Sequence, residues 1–447
     1  MWTDSLGNPL TLQGAASLPA LNDFVEGFIA SEARAADILA AAQHDGSPMV
    51  QGYAAAVHMF AESADAPGNA RPFIERALAG ADRCTQREQR FLQAVKAWVD
   101  GDIGKAIVLH EEQAREHPRD LASIKLGHYH LFNRGDSPGM LRMALAALSA
   151  AGDVAYLHGM LAFAWEQCHA LQEAEAAARK AIAMCRKEPW AHHALAHVML
   201  TQGRLSEGHA FLQEVSSTWT DLNSFMVTHN WWHQALFALE LDRHDEVLAL
   251  YDQQVWGVAK AYSQDQINAV SLLARLELAG VDVGERWVDL GQYLAERTGD
   301  QVLPFLDMQY LYGLARSGRP EAQALLHNIE ARAREDVEGA WNQVCLPASR
   351  GLLAHAEGDM AAAVKELGSA LPYAVRPQLQ RLGGSHAQRD LFAQVHLDAM
   401  VRSGHLGGAQ NILQQQVRAQ PESRRLRRQA AALYASLGLS SVTTSFF

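Results

Sequence analysis

A chain of 447 residues with 49% apolar side chains can bury an extensive core, which excludes disorder as its ordinary state. Its 38 basic and 50 acidic side chains leave a net charge of −12, a field that repels nucleic acid and anionic membrane and excludes both as expected partners. The four cysteines, at 84, 168, 185 and 345, contain no CxxC pair, which excludes a disulfide framework and structural zinc spacing and leaves a reducing, cytoplasmic compartment as the expectation.

The opening stretch MWTDSLGNPLTLQG lacks the basic and apolar regions of a secretory signal, so no export is expected. No run of about 18 residues escapes charged or strongly polar interruption, so no membrane-spanning helix is expected either.

Helical periodicity then dominates, and it recurs with turn signals every thirty-odd residues, roughly the period of helical repeats. In residues 94 to 120 a helix reaches Gly101 and a second begins near Ile103; Ala106 marks a close approach, and Pro118 ends the unit. The pattern returns over 159 to 189 with Ala162, Trp165, Ala174 and Pro189, and over 193 to 213 with Leu195, Ala196, Gly203 and Gly208. Small residues at these places let paired helices pack closely. Beyond about residue 265 the hairpins continue less regularly, through 271 to 287, 303 to 326 and 351 to 372. Period-two alternation of β-branched residues is scarce, so the chain reads as all-α. A single continuous helical-repeat domain is expected over 1–447, with regular repeats at about 85–265 and irregular hairpins at about 266–440.

Histidine is concentrated inside the regular repeats: 11 of the 20 lie between His128 and His244. WAHHALAH (190 to 197) and HNWWH (229 to 233) each space two histidines four apart, His193 with His197 and His229 with His233. On a helix such pairs share one face, and imidazole is the commonest metal ligand, so two pairs on neighbouring helices can surround one ion. Neither is the HExxH motif, whose glutamate supplies the base of zinc hydrolases, and neutral histidines hydrogen-bonded in a polar groove explain the same pattern. Glu166, Asp265 and Asp307 are candidate carboxylate ligands or partners to an imidazole N–H. Trp190, Trp231 and Trp232 read either as aromatic platforms or as core anchors, with Trp231 assigned to the core and Trp190 and Trp232 to an exposed wall. Asn230 between them is expected to hydrogen-bond backbone or ligand.

Further on, GGSHAQRD (383 to 390) resembles a phosphate-cradling loop, yet Ser385 and Gln388 make a capping box that needs no anion. RRLRRQ (424 to 429) is expected to be a solvated face or a contact to the acidic body. Phosphate loops, dinucleotide fingerprints and GxSxG elbows are missing, and no cysteine stands in a nucleophile's context.

On TQREQ (85 to 89), EHPRDLASIKLGH (116 to 128), WAHHALAH, HNWWHQAL (229 to 236), GVDVGERW (280 to 287) and GGSHAQRD, the chain resembles the tetratricopeptide repeat protein 38 family from near residue 2 to about 400. The resemblance implies a right-handed α-solenoid of tetratricopeptide-like hairpins whose inner wall comes from the first helix of each pair. Counted in that register, Trp190, His193 and His197 line one inner helix and His229 and Trp232 the next, with His233 one step round. His128 of GHYH (127 to 130) is a further candidate. Two functions remain open. One is a His/Trp-lined pocket formed by Trp190, His193, His197, His229, Asn230, Trp232, His233 and His128 for a small ligand, with His193, His197, His229 and His233 holding a divalent transition metal, zinc or iron. The other is a non-catalytic scaffold that binds a partner protein segment in the groove. If an ion is bound with an open coordination position, water activation and hydrolysis are the natural chemistry. Homo-oligomer formation stays open.

Overall fold

The computed structural model describes residues 2–372 and 377–439; the parts of the expected 1–447 domain outside them, including the end of the irregular region at 440, lie outside the described residues. Among the described residues the chain is all-α, with 23 α-helices packed in consecutive pairs. One two-stranded sheet pairs Trp2–Thr3 with Pro9–Leu10.

The hairpins form for the local reasons the sequence carries. Gln86–Val99 opens on a capping box in which the Thr85 side chain accepts from the Glu88 backbone while the Glu88 side chain accepts from that of Thr85. Its chain then reverses through Gly101 at φ 81°, a left-handed conformation that costs glycine nothing, and Asp102 caps Ile103–Glu116. Ala155–Gln167 pairs with Leu171–Met184 across fully buried Ala162 and Ala174. Pro189 opens the following helix, Pro189–Thr201, where its missing N–H leaves no intrahelical bond unmade. The next helix is Leu205–Val215; a Cβ on its Gly208 would lie 2.3 Å from the Phe237 ring, so only glycine allows this approach.

The chain divides into two compact units, Met1–Leu195 with Val215–Val227, and Ala196–Glu214 with Thr228–Phe447. In the first, Phe24, Tyr53, Phe91 and Trp98 anchor a core built on Leu18–Ala30, Pro48–Met59 and Gln86–Val99. The core of the second gathers Trp232, Tyr251, Tyr310 and Phe392. At its centre Ser263–Leu278 packs against Pro304–Arg316 and His386–Arg402.

The basic run near the end is a contact to acidic groups. Arg425 pairs with Glu240 at 2.7 Å with both side chains nearly buried, and Arg428 reaches Asp242 at 3.0 Å. All four cysteines are free, with Cys84 and Cys345 buried. No helix among the described residues is long and apolar enough to cross a membrane.

Candidate metal centre

Two helices carry the histidine pairs. Pro189–Thr201 presents His193 and His197; Ser224–Glu240 presents His229 and His233. Four-residue spacing turns each pair onto one face, and one ring nitrogen or the other of all four side chains comes within 4.8 Å of every other. All four are buried. The His197 and His233 rings lie 4.5 Å apart, and His229 stands edge-on to His233 at 4.9 Å.

Four nitrogens at about 2.0–2.1 Å from one ion sit about 3.3–3.4 Å apart in a tetrahedron, so the widest pair must close by at most about 1.5 Å on metal binding. Imidazole χ2 torsions are broad enough to supply that movement. The donor set is four neutral-capable nitrogens, which suits zinc, iron, copper or nickel and not magnesium or calcium.

Burial pushes the His229 pKa down to about 3, against a smaller upward pull from Asn268 and with His197 adding to the fall. The ring is therefore neutral near pH 7, the state a metal ligand requires. Asn268 Oδ1 lies 3.0 Å from His229 Nδ1 and accepts its proton, which fixes the tautomer and leaves Nε2 with its lone pair. One turn earlier on the same helix, Asp265 Oδ1 accepts from Thr228 Oγ1 at 2.8 Å.

These partners belong to a polar stripe of which sequence reasoning named Asp265 alone. Asp265, Asn268, Ser271 and Arg275 recur at spacings of three, three and four along Ser263–Leu278, the arrangement of one helix face, and each is only 1–2% exposed. Such a stripe ordinarily faces solvent. Here it follows the histidine helix in step: Asp265 meets Thr228, Asn268 meets His229, and the Arg275 guanidinium lies 5.5 Å over the Trp232 ring. Of the carboxylates proposed beside the histidines, Asp265 lies on this stripe. Asp307 bonds to Gln301 at 3.0 Å and Glu166 to Gln167, and neither joins the four-histidine group.

The tryptophan assignment is overturned at one position. Trp232, expected on an exposed wall, is completely buried; its ring stacks on His229 at 5.1 Å with 11° between planes, while Trp231, assigned to the core, packs half-buried against that same core. Trp232 faces the hydrophobic core of its own unit, and the register counted from repeat positions misplaces it by one step of 100°. Trp190 is half-buried. Its Nε1 donates to Ser31 Oγ at 2.7 Å, and the Lys125 ammonium sits 5.1 Å over its ring. The His193 ring meets that indole edge-on at 5.2 Å. Asn230 is fully buried beside His229, and His128 is buried on Leu121–Asn133 without joining the four-histidine group.

His197 also lines a cavity of about 260 Å³ within the second unit, with Arg275, Glu240, His386, Asp390 and Arg425 among its walls. The GGSHAQRD segment supplies two of these residues and starts its helix on the expected capping box, Ser385 with Gln388.

No family model matches the chain. A solved structure of Naa15/Naa10 bound to HypK-THB is similar at 13% identity and a TM-score of 0.26, covering 96% of this chain and 68% of that one.

Proposed function

We propose that this helical-repeat protein, akin to the tetratricopeptide repeat protein 38 family, holds one divalent transition metal, zinc or iron, on His193, His197, His229 and His233, beside a cavity that admits a small ligand. The convergence of four buried ring nitrogens within 4.8 Å carries the reading. A neutral histidine satisfied by core packing needs one partner for each polar nitrogen, and those partners can lie in any direction. Four that bring a ring nitrogen within 4.8 Å of one another gather a donor set that a single cation can share. The Asn268 acceptor behind His229 is the arrangement that orients a ligating imidazole.

The position of His197 gives the ion a route to a ligand, since that side chain belongs both to the four-histidine group and to the cavity wall. With four imidazoles alone the ion is closed and structural; with a fifth position open toward the cavity it acts as a Lewis acid and lowers the pKa of bound water.

The deciding experiment is elemental analysis of untagged protein purified without chelator, repeated on His193→Ala and His229→Ala variants that keep their helical circular dichroism. Near-stoichiometric metal in the parent and its loss in both variants is expected. A metal-free parent that takes up neither zinc nor iron nor manganese on incubation would sink the metal centre and leave the scaffold reading, whose partner is then sought by pull-down.

A further inference from the structure

The polar stripe of Ser263–Leu278 ends on a cation. Arg275 is 2% exposed, and a guanidinium offers five N–H donors. Ser271, through its carbonyl and hydroxyl oxygens, takes the two on Nη1, and the Ala387 carbonyl takes one on Nη2 at 2.7 Å. For the remaining Nη2 hydrogen and for Nε–H, no acceptor stands at hydrogen-bond distance among the described residues; the nearest carboxylate oxygen, on Asp390, is 4.0 Å from Nη2 and belongs to a side chain 44% exposed. Burying a charge without a close counter-ion is unfavourable. Burial accordingly pulls the Arg275 pKa down to about 10.

Among the other charges of the cavity, Asp390 is a counter-ion to Arg275 at 4.0 Å, too far for a hydrogen bond. Glu240 is engaged by Arg425 through Nε at 2.9 Å and Nη2 at 2.7 Å, and by the Ser423 hydroxyl, so this acid and base cancel. Asp390 accepts from Gln394 Nε2 at 2.5 Å. An ion on four neutral imidazoles would add two positive charges beside His197 with no anionic ligand among them. Arg275 and Arg425 balance Glu240 and Asp390, so with that ion the cavity walls carry a surplus of positive charge, and forked donors on Arg275 match a carboxylate. The volume of about 260 Å³ lies just below the usual range of small-molecule sites, so the occupant is small, on the order of ten heavy atoms.

We propose that this cavity binds a small aliphatic dicarboxylate, one carboxylate on the free donors of Arg275 and the other directed past His197 toward the metal. The second half of this assignment rests on the metal reading; the first half, a carboxylate on Arg275, does not.

Malonate is the probe, with the neutral malonamide as its control, each titrated calorimetrically into the full chain in metal-free and cobalt(II)-loaded form. Malonate is expected to bind the loaded protein with a Kd of about 1 mM or tighter and to shift the cobalt visible bands, while malonamide does neither. Arg275→Gln is expected to weaken malonate at least about tenfold and keep the cobalt stoichiometry. Cobalt bound with no malonate heat and no spectral shift would overturn the dicarboxylate site and leave the metal centre standing. Failure to bind cobalt, with malonate still bound in preference to malonamide, would remove the metal and keep the carboxylate on Arg275. Equal affinity for malonate and malonamide overturns the proposal without any variant, should Arg275→Gln not fold.

Discussion

Two histidine-rich regions place the same side chain under the same burial to different ends. In the first unit His110 and His130 stack with ring centroids 5.7 Å apart, Trp98 meets His130 edge-on at 4.8 Å, and His110 Nδ1 is 2.7 Å from Ser123 Oγ. These imidazoles present faces and edges to one another, as core aromatics do. On Pro189–Thr201 and Ser224–Glu240 the histidines also meet ring to ring, His197 with His233 and His229 edge-on to His233, but here a ring nitrogen of each of four lies within 4.8 Å of every other. Burial and composition are alike in the two places, so neither singles out a candidate metal centre; the gathering of four ring nitrogens within 4.8 Å does.

Acid should destabilise both regions of the metal-free protein, and this is the largest effect expected. Burial pushes His110 and His229 to about 3 and His128 to about 4, against about 6.5 in the unfolded chain. Above pH 6.5 these groups are neutral in both states and their contribution is full. As pH falls below 6.5 the unfolded chain takes up protons that the folded one refuses, so stability drops until the folded-state values near 4 and 3 are reached. Each such histidine contributes a slope of up to about 1.4 kcal/mol per pH unit. Urea midpoints at pH 7.5, 6 and 5 check this. A flat profile would mean that water reaches the rings. Saturating zinc should add about 3 kcal/mol at pH 7.5 when present at a hundredfold excess over Kd, and protonation of His229, held neutral by burial down to about pH 3, should not remove that gain at pH 5.

Asn268 separates the regions next. Replacing it with alanine removes the acceptor behind His229 without touching a ligand atom, and metal affinity should fall about 10–100-fold in competition with a chromophoric chelator. Restoration of affinity by Asn268→Asp would support orientation of the ring as the cause, whereas an unchanged affinity in Asn268→Ala would place the ion, if any, away from His229.

The smallest effect on the metal centre comes from the packed pair. His110→Leu keeps the volume of the core and orphans the Ser123 hydroxyl, at a cost of about 1–3 kcal/mol in unfolding free energy, with metal content unchanged. Loss of metal in this variant would break the distinction between the two regions.

Much of the architecture was legible because its causes are local. Helix pairing followed from periodicity, from Gly101 and Gly203 at positive φ, and from small residues such as Ala106, Ala162 and Ala174 that are fully buried. The capping box at Ser385 followed from four consecutive residues. The four candidate metal ligands were also legible, since i, i+4 spacing fixes a shared helix face whatever the helix packs against. The burial of Trp232 was not, because adjacent residues differ by 100° and only the packing of the second core decides how deeply each enters it.

The amino-acid sequence by itself determined an all-α chain of helical pairs with two histidine pairs on helix faces, because hydrogen bonding, capping and side-chain period act within a few residues. Tertiary structure alone decided that the ring nitrogens converge, that Asn268 stands behind His229, and that a polar stripe suited to solvent is buried with Arg275 at a cavity. Those facts depend on the register between helices tens of residues apart, and that register is set by how whole faces interlock in the core, a property no local stretch contains.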